Sequence, residues 1–245
     1  MNPYIFREYD IRGVVADDFT DEVVELLGKG IGTYFREKDA KTISLSGDIR
    51  LSTPHLKSVL TKGLLSTGLN IVDLGIVPTP VNYYSMYVLP VDGAIQITGS
   101  HNPPDMNGFK ISLDKKAVFG KQIQHIKNII EKGVFAGGTG KVSEKSLLEE
   151  YKQMIISKIQ LARPLKIAMD CGNGAASLTA PEIFKKIGCQ VTELYCEVDG
   201  RFPNHHPDPT VPKNLKDLIA EVQKGGYDFG VAFDGDADRI GVVDD

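Results

Sequence analysis

The chain has 245 residues, which is long enough for one large domain or for two of ordinary size. Hydrophobic residues make up 42% of the sequence and charged residues 24%, values typical of globular proteins that exclude disordered, fibrous and collagen-like classes. Because 28 Lys and Arg stand against 32 Asp and Glu, the net charge of -4 offers no basic excess for binding nucleic acid. The amino terminus is too charged for a signal peptide, and no apolar run approaches the roughly 20 residues of a membrane span. We therefore expect a cytoplasmic protein without nucleic-acid or membrane partners.

In the first half of the chain, short runs rich in β-branched residues alternate with longer segments of helical periodicity. This alternation is the pattern of an α/β protein with a largely parallel sheet. Thr20 is the expected N-cap of the first helix. The predicted helices cover residues 21–38, 53–66 and 79–88, and the predicted strands cover residues 42–46, 70–74 and 93–97.

The glycine-rich segment 133–143 is the best candidate for a linker, and a helix is predicted after it, at residues 144–159. The alternation then begins again, with strands at residues 165–169, 190–195, 229–233 and 240–243 and helices at 181–187 and 215–224. We therefore predict two similar domains, residues 1–147 and 148–245, each a mixed, largely parallel β-sheet sandwiched between helices.

The loop at residues 98–110 follows a predicted strand, at the edge where open α/β sheets bind ligands. Gly99 permits a sharp turn and two prolines stiffen the exit, so Ser100 is presented on a restrained loop. Ser100 and His101 make a poor hydrolase pair, because adjacent side chains project in different directions and no GxSxG elbow surrounds them. A serine that carries phosphate fits better, since nearby cations and a metal could bind its charge.

A second loop supplies candidate metal ligands. Asp234, Asp236 and Asp238 alternate with small residues directly after a predicted strand, so a bent backbone can turn all three carboxylates toward one cation. Hard oxygen ligands indicate Mg²⁺. An EF-hand is excluded, because Arg239 stands where that loop needs Gly, Asp245 stands where it needs Glu, and a strand precedes the loop instead of a helix.

The charge of these two loops requires cations nearby. Three carboxylates and a phosphoserine carry a combined charge of about -5, and a bound Mg²⁺ would neutralise two of these negative charges. Arg239 adjoins the acidic loop and Lys110 closes the serine loop, while Arg7 and Arg12 belong to a charged amino-terminal cluster. We expect these side chains, Arg12 above all, to balance the site.

Other potential metal ligands lack the spacing of a zinc site. His205 and His206 are adjacent but have no third Cys or His nearby, so we predict a rigid, hydrogen-bonded loop beside the active site. The three cysteines are widely spaced without a CxxC pair and are expected to be buried apolar residues, in neither a zinc site nor a disulfide framework: Cys171, Cys189 and Cys196.

Taken together, four motifs resemble the α-D-phosphohexomutase family, and specifically its bacterial phosphomannomutase/phosphoglucomutase branch. They occur in family order as YDIRG at residues 9–13, TGSHNPPDMNGFK at 98–110, DGRFPNHHPDP at 199–209 and DGDADR at 234–239. The branch that acts on glucosamine phosphate typically reads SASHNP where this chain reads TGSHNP. The resemblance therefore argues against amino-sugar specificity.

The resemblance implies an enzyme that interconverts hexose 1-phosphate and hexose 6-phosphate, of mannose or glucose or both, through a phosphoserine and a hexose 1,6-bisphosphate. Ser100 would carry the phosphate, and Lys110 would be the general acid or base. The implied catalytic residues are Ser100, His101, Lys110 and Arg12; the implied substrate-binding residues are Tyr9, Arg239 and Asn102; the implied Mg²⁺ ligands are Ser100, Asp234, Asp236 and Asp238.

Two departures from the family pattern accompany this resemblance. Gly47 stands before Asp48 where relatives usually have Arg, so one loop salt bridge is expected to be missing. The chain also stops where the second of four family domains would end. We therefore expect the catalytic half of a longer enzyme, with weak turnover or none.

Two alternatives remain open at this stage. A phosphatase of the haloacid-dehalogenase type would use Asp234 as nucleophile and Asp236 as acid and base, although Asp238 occupies a position where that motif has Thr or Val. A fragment that binds metal or phosphosugar without catalysis is the second alternative.

Overall fold

A computed structural model gives the structure of the protein and describes residues 1–244. Two β-sheets, each flanked by helices, form two α/β units, which confirms the predicted fold class. Among the described residues, no helix has the length and apolar character needed to cross a membrane.

The first sheet has seven strands in the order β1-β5-β4-β2-β3-β7, with the short β6 paired to β5. Strands β4, β2, β3 and β7 run parallel, whereas β5 is antiparallel to both β4 and β1. The strands are β1 (Ile11–Val14), β2 (Thr42–Gly47), β3 (Asn70–Ile76), β4 (Gly93–Ile97), β5 (Met106–Leu113), β6 (Lys116–Ala117) and β7 (Val142–Glu144).

The longer helices of the first unit cover the sheet with their apolar faces. Thr20 caps the second helix by accepting a hydrogen bond from the Val23 backbone N–H at 3.4 Å, as its position predicts. The helices are α1 (Val15–Asp18), α2 (Asp21–Arg36), α3 (Thr53–Leu65), α4 (Thr79–Val88) and α5 (Lys121–Lys132).

The second sheet has the order β11-β10-β8-β9, in which only β11 runs antiparallel to its neighbour. A small apolar cluster around Ile167, Met169 and Val231 packs beneath it. Its elements are α6 (Leu148–Ile156), β8 (Lys166–Asp170), α7 (Ala180–Lys186), β9 (Gln190–Leu194), α8 (Lys216–Val222), β10 (Phe229–Phe233) and β11 (Ile240–Val243).

The predicted linker and the helix after it differ from the structure. Val142–Glu144 is a strand that pairs with β3, and the Gly140 backbone N–H donates to the Leu65 carbonyl at 2.9 Å. The helix therefore begins at Leu148 instead of residue 144. The polar composition of this segment predicted a linker, but the open edge of β3 supplies backbone partners that composition does not reveal.

The loop predicted at residues 98–110 is shorter than expected. Met106–Leu113 forms β5, so Lys110 lies within a strand instead of closing the loop. Its backbone partner across the sheet is Gln96 of β4. The antiparallel return of β5 places Lys110 beside the strand that leads to Ser100.

Candidate active site

The two predicted loops meet where the carboxyl ends of β4 and β10 face each other. Ser100 follows β4 and Asp234 follows β10, and the Ser100 hydroxyl donates a hydrogen bond to Asp234 Oδ2 at 3.0 Å. Both residues are completely buried. The serine and the acidic loop therefore form one site, although 134 positions separate them in the chain.

The backbone at Ser100 adopts a left-handed conformation with φ of 50°. Such a conformation costs a non-glycine residue about 1–3 kcal/mol unless its surroundings hold it. Here the Ser100 N–H donates to Thr98 Oγ1 at 2.8 Å, and the Ser100 carbonyl accepts from Arg50 Nη2 at 2.9 Å. These two contacts hold the turn that aims the hydroxyl at the acidic loop.

Arg50 organises the whole serine loop from below. Its guanidinium is buried, with 1% of the residue exposed, and it donates to four backbone carbonyls of that loop. The acceptors are the carbonyls of Ser100 (2.9 Å), Asn102 (2.7 Å), Pro103 (2.5 Å) and Met106 (3.0 Å). A Cβ at Gly99 would lie 2.4 Å from Arg50 Cζ, so this position needs glycine.

Asp48 completes the support by pairing with Arg50 at 3.2 Å and accepting from Thr98 Oγ1 at 2.7 Å. Burial raises the pKa of Asp48, and the Arg50 guanidinium counteracts this shift. A Cβ at Gly47 would lie 2.2 Å from Thr53 Cγ2, so any side chain at this position would force Thr53 to shift. The Asp48–Arg50 pair supplies a buried ion pair in the same loop.

The acidic loop gathers three carboxylates between β10 and β11. One oxygen from each of Asp234, Asp236 and Asp238 lies within 4.8 Å of the others. Ala237 takes a φ of 64°, which turns the chain sharply, and Asp234 Oδ1 accepts the backbone N–H groups of Asp238 at 3.0 Å and Arg239 at 3.1 Å. The sharp turn is what brings alternate side chains to one point.

The donor set fits a divalent cation. Asp236 Oδ1 is buried without a hydrogen-bond partner, while Asp236 Oδ2 accepts from Thr79 Oγ1 at 2.5 Å. Burial and the carboxylates of Asp236 and Asp238 raise the pKa of Asp234 to about 8. Crowded carboxylates of this kind are stabilised when a cation joins them.

Lys110 already brings a positive charge to these carboxylates. Its ammonium donates to Asp236 Oδ2 and to Asp238 Oδ2, each at 2.6 Å. Burial lowers the pKa of Lys110, but the two carboxylates outweigh burial and hold that pKa above its ordinary value. The same ammonium keeps the pKa of Asp236 low against the effect of its burial.

A cavity of about 460 Å³ opens beside the acidic loop. Tyr9 is 74% exposed at its mouth, whereas Arg12 is buried and ion-paired with Asp10. The lining includes four cations and other charged or hydroxyl-bearing side chains, namely Arg7, Glu8, Tyr9, Asp10, Arg12, Tyr83, Lys110, Asp238 and Arg239. The cavity can therefore receive a polar, anionic molecule.

The remaining predicted residues lie around Ser100. His101 Nδ1 lies 3.3 Å from Ser100 Oγ and accepts from Arg239 Nη1 at 2.9 Å. Burial and the Arg239 charge lower the pKa of His101, so its imidazole is neutral at pH 7. Asn102 donates from its side-chain amide to the Gly99 carbonyl at 2.9 Å, inside its own loop. Its contact with substrate stays a prediction.

Several side chains of the site carry little signal in the sequence. Thr79 and Tyr83 lie on α4, and neither stands in a motif, yet Thr79 contacts Asp236 and Tyr83 lines the cavity. Asp48 and Arg50 could have been noticed in the sequence, because they are two opposite charges directly after a buried strand. Sequence alone does not show that both side chains turn inward.

The tandem histidines do not form a second metal site. His205 Nε2 lies 2.9 Å from Asp170 Oδ2, and its Nδ1 lies 2.9 Å from the His206 carbonyl oxygen. Within residues 1–244, the only group of three or more His, Cys, Asp or Glu with converging ligand atoms is the Asp234–Asp236–Asp238 cluster.

Comparisons with known proteins show the family of the chain. Family models described as phosphoglucomutase/phosphomannomutase, alpha/beta/alpha domain I and domain II match residues 3–136 and 145–245. The chain is 48% identical over 239 residues to a phosphomannomutase/phosphoglucomutase of Pseudomonas aeruginosa, which covers 98% of this chain and 52% of that protein. It is 47% identical over 241 residues to a phosphoglucomutase of Neisseria meningitidis, with the same two coverages of 98% and 52%.

A solved structure shows the same fold. The crystal structure of a phosphoglucomutase/phosphomannomutase family protein from Burkholderia thailandensis matches with a TM-score of 0.95 and 41% identity, over 99% of this chain and 55% of that one. The chain thus spans about half the length of the curated relatives it matches.

Proposed function

Because the chain belongs to the phosphoglucomutase/phosphomannomutase family, we propose that it performs the phosphoryl-transfer chemistry of a phosphohexomutase, with Ser100 as the residue that carries the phosphoryl group. The observation that carries this proposal is the 3.0 Å contact between the Ser100 hydroxyl and the acidic loop. A serine with only a structural role would gain nothing from a strained left-handed turn that places its hydroxyl beside three carboxylates.

The substrates are hexose 1-phosphate and hexose 6-phosphate, with mannose or glucose as the sugar. Phosphoserine gives its phosphoryl group to the bound sugar phosphate, and a hexose 1,6-bisphosphate forms. The bisphosphate then reorients in the site, and its other phosphoryl group returns to Ser100. Phosphoryl transfer depends chiefly on positioning and charge neutralisation, and the cavity supplies cationic side chains for both. They are Arg7, Arg12, Lys110 and Arg239.

The residues divide these tasks by their position. Asp234, Asp236 and Asp238 would hold Mg²⁺, with an oxygen of the Ser100 phosphate as a further ligand, and the bound ion would neutralise charge on the phosphoryl group. Lys110 reaches the same carboxylates and can hold or move a proton at the sugar hydroxyl. Arg239 and neutral His101 pack against each other next to Ser100, where they position the group that reacts.

A phosphorylation experiment tests the proposal. The chain is incubated with glucose 1,6-bisphosphate and Mg²⁺, and intact mass followed by peptide mapping is expected to place one phosphoryl group on Ser100. Ser100→Ala abolishes the mass gain. Ser44→Ala is the matched control, because Ser44 is also completely buried but its hydroxyl lies against Ser85, outside the cavity, and this variant is expected to be phosphorylated normally.

The chemistry of the bond separates this proposal from the phosphatase alternative. Phosphate on serine survives acid, whereas an acyl phosphate on Asp234 is released by hydroxylamine. A hydroxylamine-sensitive label on Asp234 would overturn the assignment of Ser100.

We further propose that these 245 residues accept phosphate but show far lower mutase turnover than an intact relative. The proposal rests on the length comparison, since the chain covers 52% of the length of these two relatives. The bisphosphate must also be held in the site while it reorients. Losing remote binding contacts weakens the positioning of the reacting group, which can account for several kcal/mol of the barrier. A coupled assay from mannose or glucose 1-phosphate to the 6-phosphate measures this turnover, and robust activity would contradict the proposal.

A further inference from the structure

Two cysteines lie in contact at the carboxyl ends of neighbouring strands in the second sheet. Cys171 directly follows β8 and Cys196 lies just beyond β9, and their sulfur atoms are 3.1 Å apart. Both are free thiols, and 25 positions separate them in the chain. Their spacing in the sequence shows no CxxC motif, so only the parallel pairing of β8 with β9 brings them together.

We propose that Cys171 and Cys196 are a modification site, at which a peroxide converts the two thiols into a reversible intramolecular disulfide. The site lies outside the acidic loop and the cavity beside it, so this inference does not depend on the proposed function.

Of the two cysteines, only Cys196 borders a cavity that a small molecule can enter. Cys171 is completely buried, whereas Cys196 is half-buried and lines a separate cavity of about 310 Å³ together with Asn173, Tyr195 and Glu197. A small oxidant such as hydrogen peroxide therefore meets the sulfur of Cys196 first. The hydrogen bond to Cys196, together with burial, raises the pKa of Cys171 well above its usual value, which fits Cys171 as the second thiol to react.

The reaction proceeds in two balanced steps. Hydrogen peroxide transfers one oxygen to Cys196 Sγ, giving a sulfenic acid and one water. Cys171 Sγ then attacks the Cys196 sulfur, the new S–S bond forms as the S–O bond breaks, and the hydroxyl leaves with the thiol proton as a second water. The two thiols are oxidised and the peroxide is reduced. A dithiol reductant reverses the change.

The backbone around the pair is already held in place. The Cys171 N–H donates to the Leu194 carbonyl at 3.1 Å, and the Asn173 N–H donates to the Tyr195 carbonyl at 2.8 Å. The disulfide therefore joins segments that are already joined by hydrogen bonds, and it closes a loop that the unfolded chain would otherwise leave open. We expect the oxidised protein to melt about 5 °C higher than the reduced protein.

The third cysteine provides a matched control. Cys189 is buried like Cys171, but no thiol lies within hydrogen-bond distance of it among the described residues. Wild-type protein and Cys189→Ser are treated with hydrogen peroxide and their thiols are counted after denaturation. Wild type is expected to fall from three thiols to one and Cys189→Ser from two to none, with a mass loss of two hydrogen atoms in each.

Peptide mapping without reductant identifies the linkage. Trypsin cuts after Lys185 and Lys186, which frees the Cys171 peptide, and a glutamate-specific protease cuts after Glu193, which separates Cys189 from Cys196. The Cys171 peptide is expected to remain bound to the Cys196 peptide until dithiothreitol is added. Cys171→Ser and Cys196→Ser are each expected to abolish the linkage.

Three results would overturn the inference, and all can be read from wild-type protein even if a variant fails to fold. The first is that all three thiols survive treatment with peroxide. The second is that Cys196 gains oxygen atoms while Cys171 keeps its thiol. The third is a disulfide between two chains instead of one within a chain.

Discussion

Arg50 Nη2 donates a hydrogen bond to the backbone carbonyl of Ser100 at 2.9 Å, from a position beneath the serine loop. Arg50 follows β2 and Ser100 follows β4, so the contact joins the carboxyl ends of two paired parallel strands. Phe202 of the second unit stacks on the same guanidinium, with 5.2 Å between Arg50 Cζ and the ring centroid. The position of the serine proposed to carry the phosphoryl group therefore depends on a buried cation that does not line the cavity.

Replacing Arg50 with lysine is expected to loosen the serine loop. Lysine keeps the charge but loses the planar set of donors that reaches four carbonyls and Asp48. We expect Arg50→Lys to lower the free energy of unfolding by about 3 kcal/mol, because each buried carbonyl left without a donor costs about 1–3 kcal/mol, and to slow phosphorylation of Ser100. Chemical denaturation and the rate of mass gain measure the two effects.

Arg163→Lys is the control for this change, because Arg163 is an exposed arginine that pairs with Asp228. Its cost is expected to stay below about 1 kcal/mol. If Arg50→Lys behaved like the control, the four carbonyl contacts would not be what holds the loop.

Mg²⁺ binding is expected to depend on Asp236. Its buried Oδ1 has no hydrogen-bond partner, so Asp236→Asn would remove both a ligand charge and a buried carboxylate oxygen that is free to bind a cation. We expect calorimetry to show Mg²⁺ affinity weaker by at least about tenfold. Asp217→Asn is the control, since Asp217 accepts from Tyr195 and lies outside the cluster. Unchanged affinity in Asp236→Asn would contradict the assignment of the metal site.

Lys110 is expected to compete with Mg²⁺ for the same carboxylates. Its ammonium lies 2.6 Å from an oxygen of Asp236 and from an oxygen of Asp238. Removing that charge in Lys110→Met is expected to raise Mg²⁺ affinity while slowing phosphorylation of Ser100. Opposite signs in the two measurements distinguish this role from general disruption of the loop.

Lys57→Met is the matched control for Lys110, because Lys57 pairs with Asp73 at 2.7 Å outside the site. It should alter neither quantity. A loss of Mg²⁺ affinity in Lys110→Met would show that the ammonium supports the metal site instead of competing for it.

His205 is expected to make stability depend on pH. Burial lowers the pKa of His205, but the hydrogen bonds to Asp170 and to the His206 carbonyl outweigh burial and raise it above its ordinary value. A raised folded-state pKa means that the charged form stabilises the fold. This stabilisation is complete below the ordinary pKa of about 6.5 and disappears as the pH rises through the folded-state value.

The difference in free energy of unfolding between wild type and His205→Gln should therefore be larger at pH 6 than at pH 9. Urea denaturation across this range measures it, with His125→Gln at an exposed histidine as the baseline. A difference that grows with pH would mean that the neutral imidazole is the form that stabilises the loop.

The sequence by itself determined the buried parallel strands and which polar residues stand in the loops after them. β4 was predicted at residues 93–97 and is found at Gly93–Ile97, because a short run that is apolar apart from Gln96 and ends before Thr98 and Gly99 has the length and composition of a buried strand. Ser100 and the alternating Asp234, Asp236 and Asp238 were identified because few structural roles need such residues crowded together. The family resemblance followed from these same loops and is confirmed by the comparisons.

Only the tertiary structure decided which of these residues meet. Periodicity records which side of a strand is buried, but it does not record the partner across a sheet edge or across a domain boundary. For that reason the strand Val142–Glu144 was predicted as part of a linker, and Lys110 was assigned to a loop although it lies within β5. The Ser100–Asp234 contact and the Cys171–Cys196 pair join segments distant in the chain, and the chain reaches each only after whole strands have paired and packed.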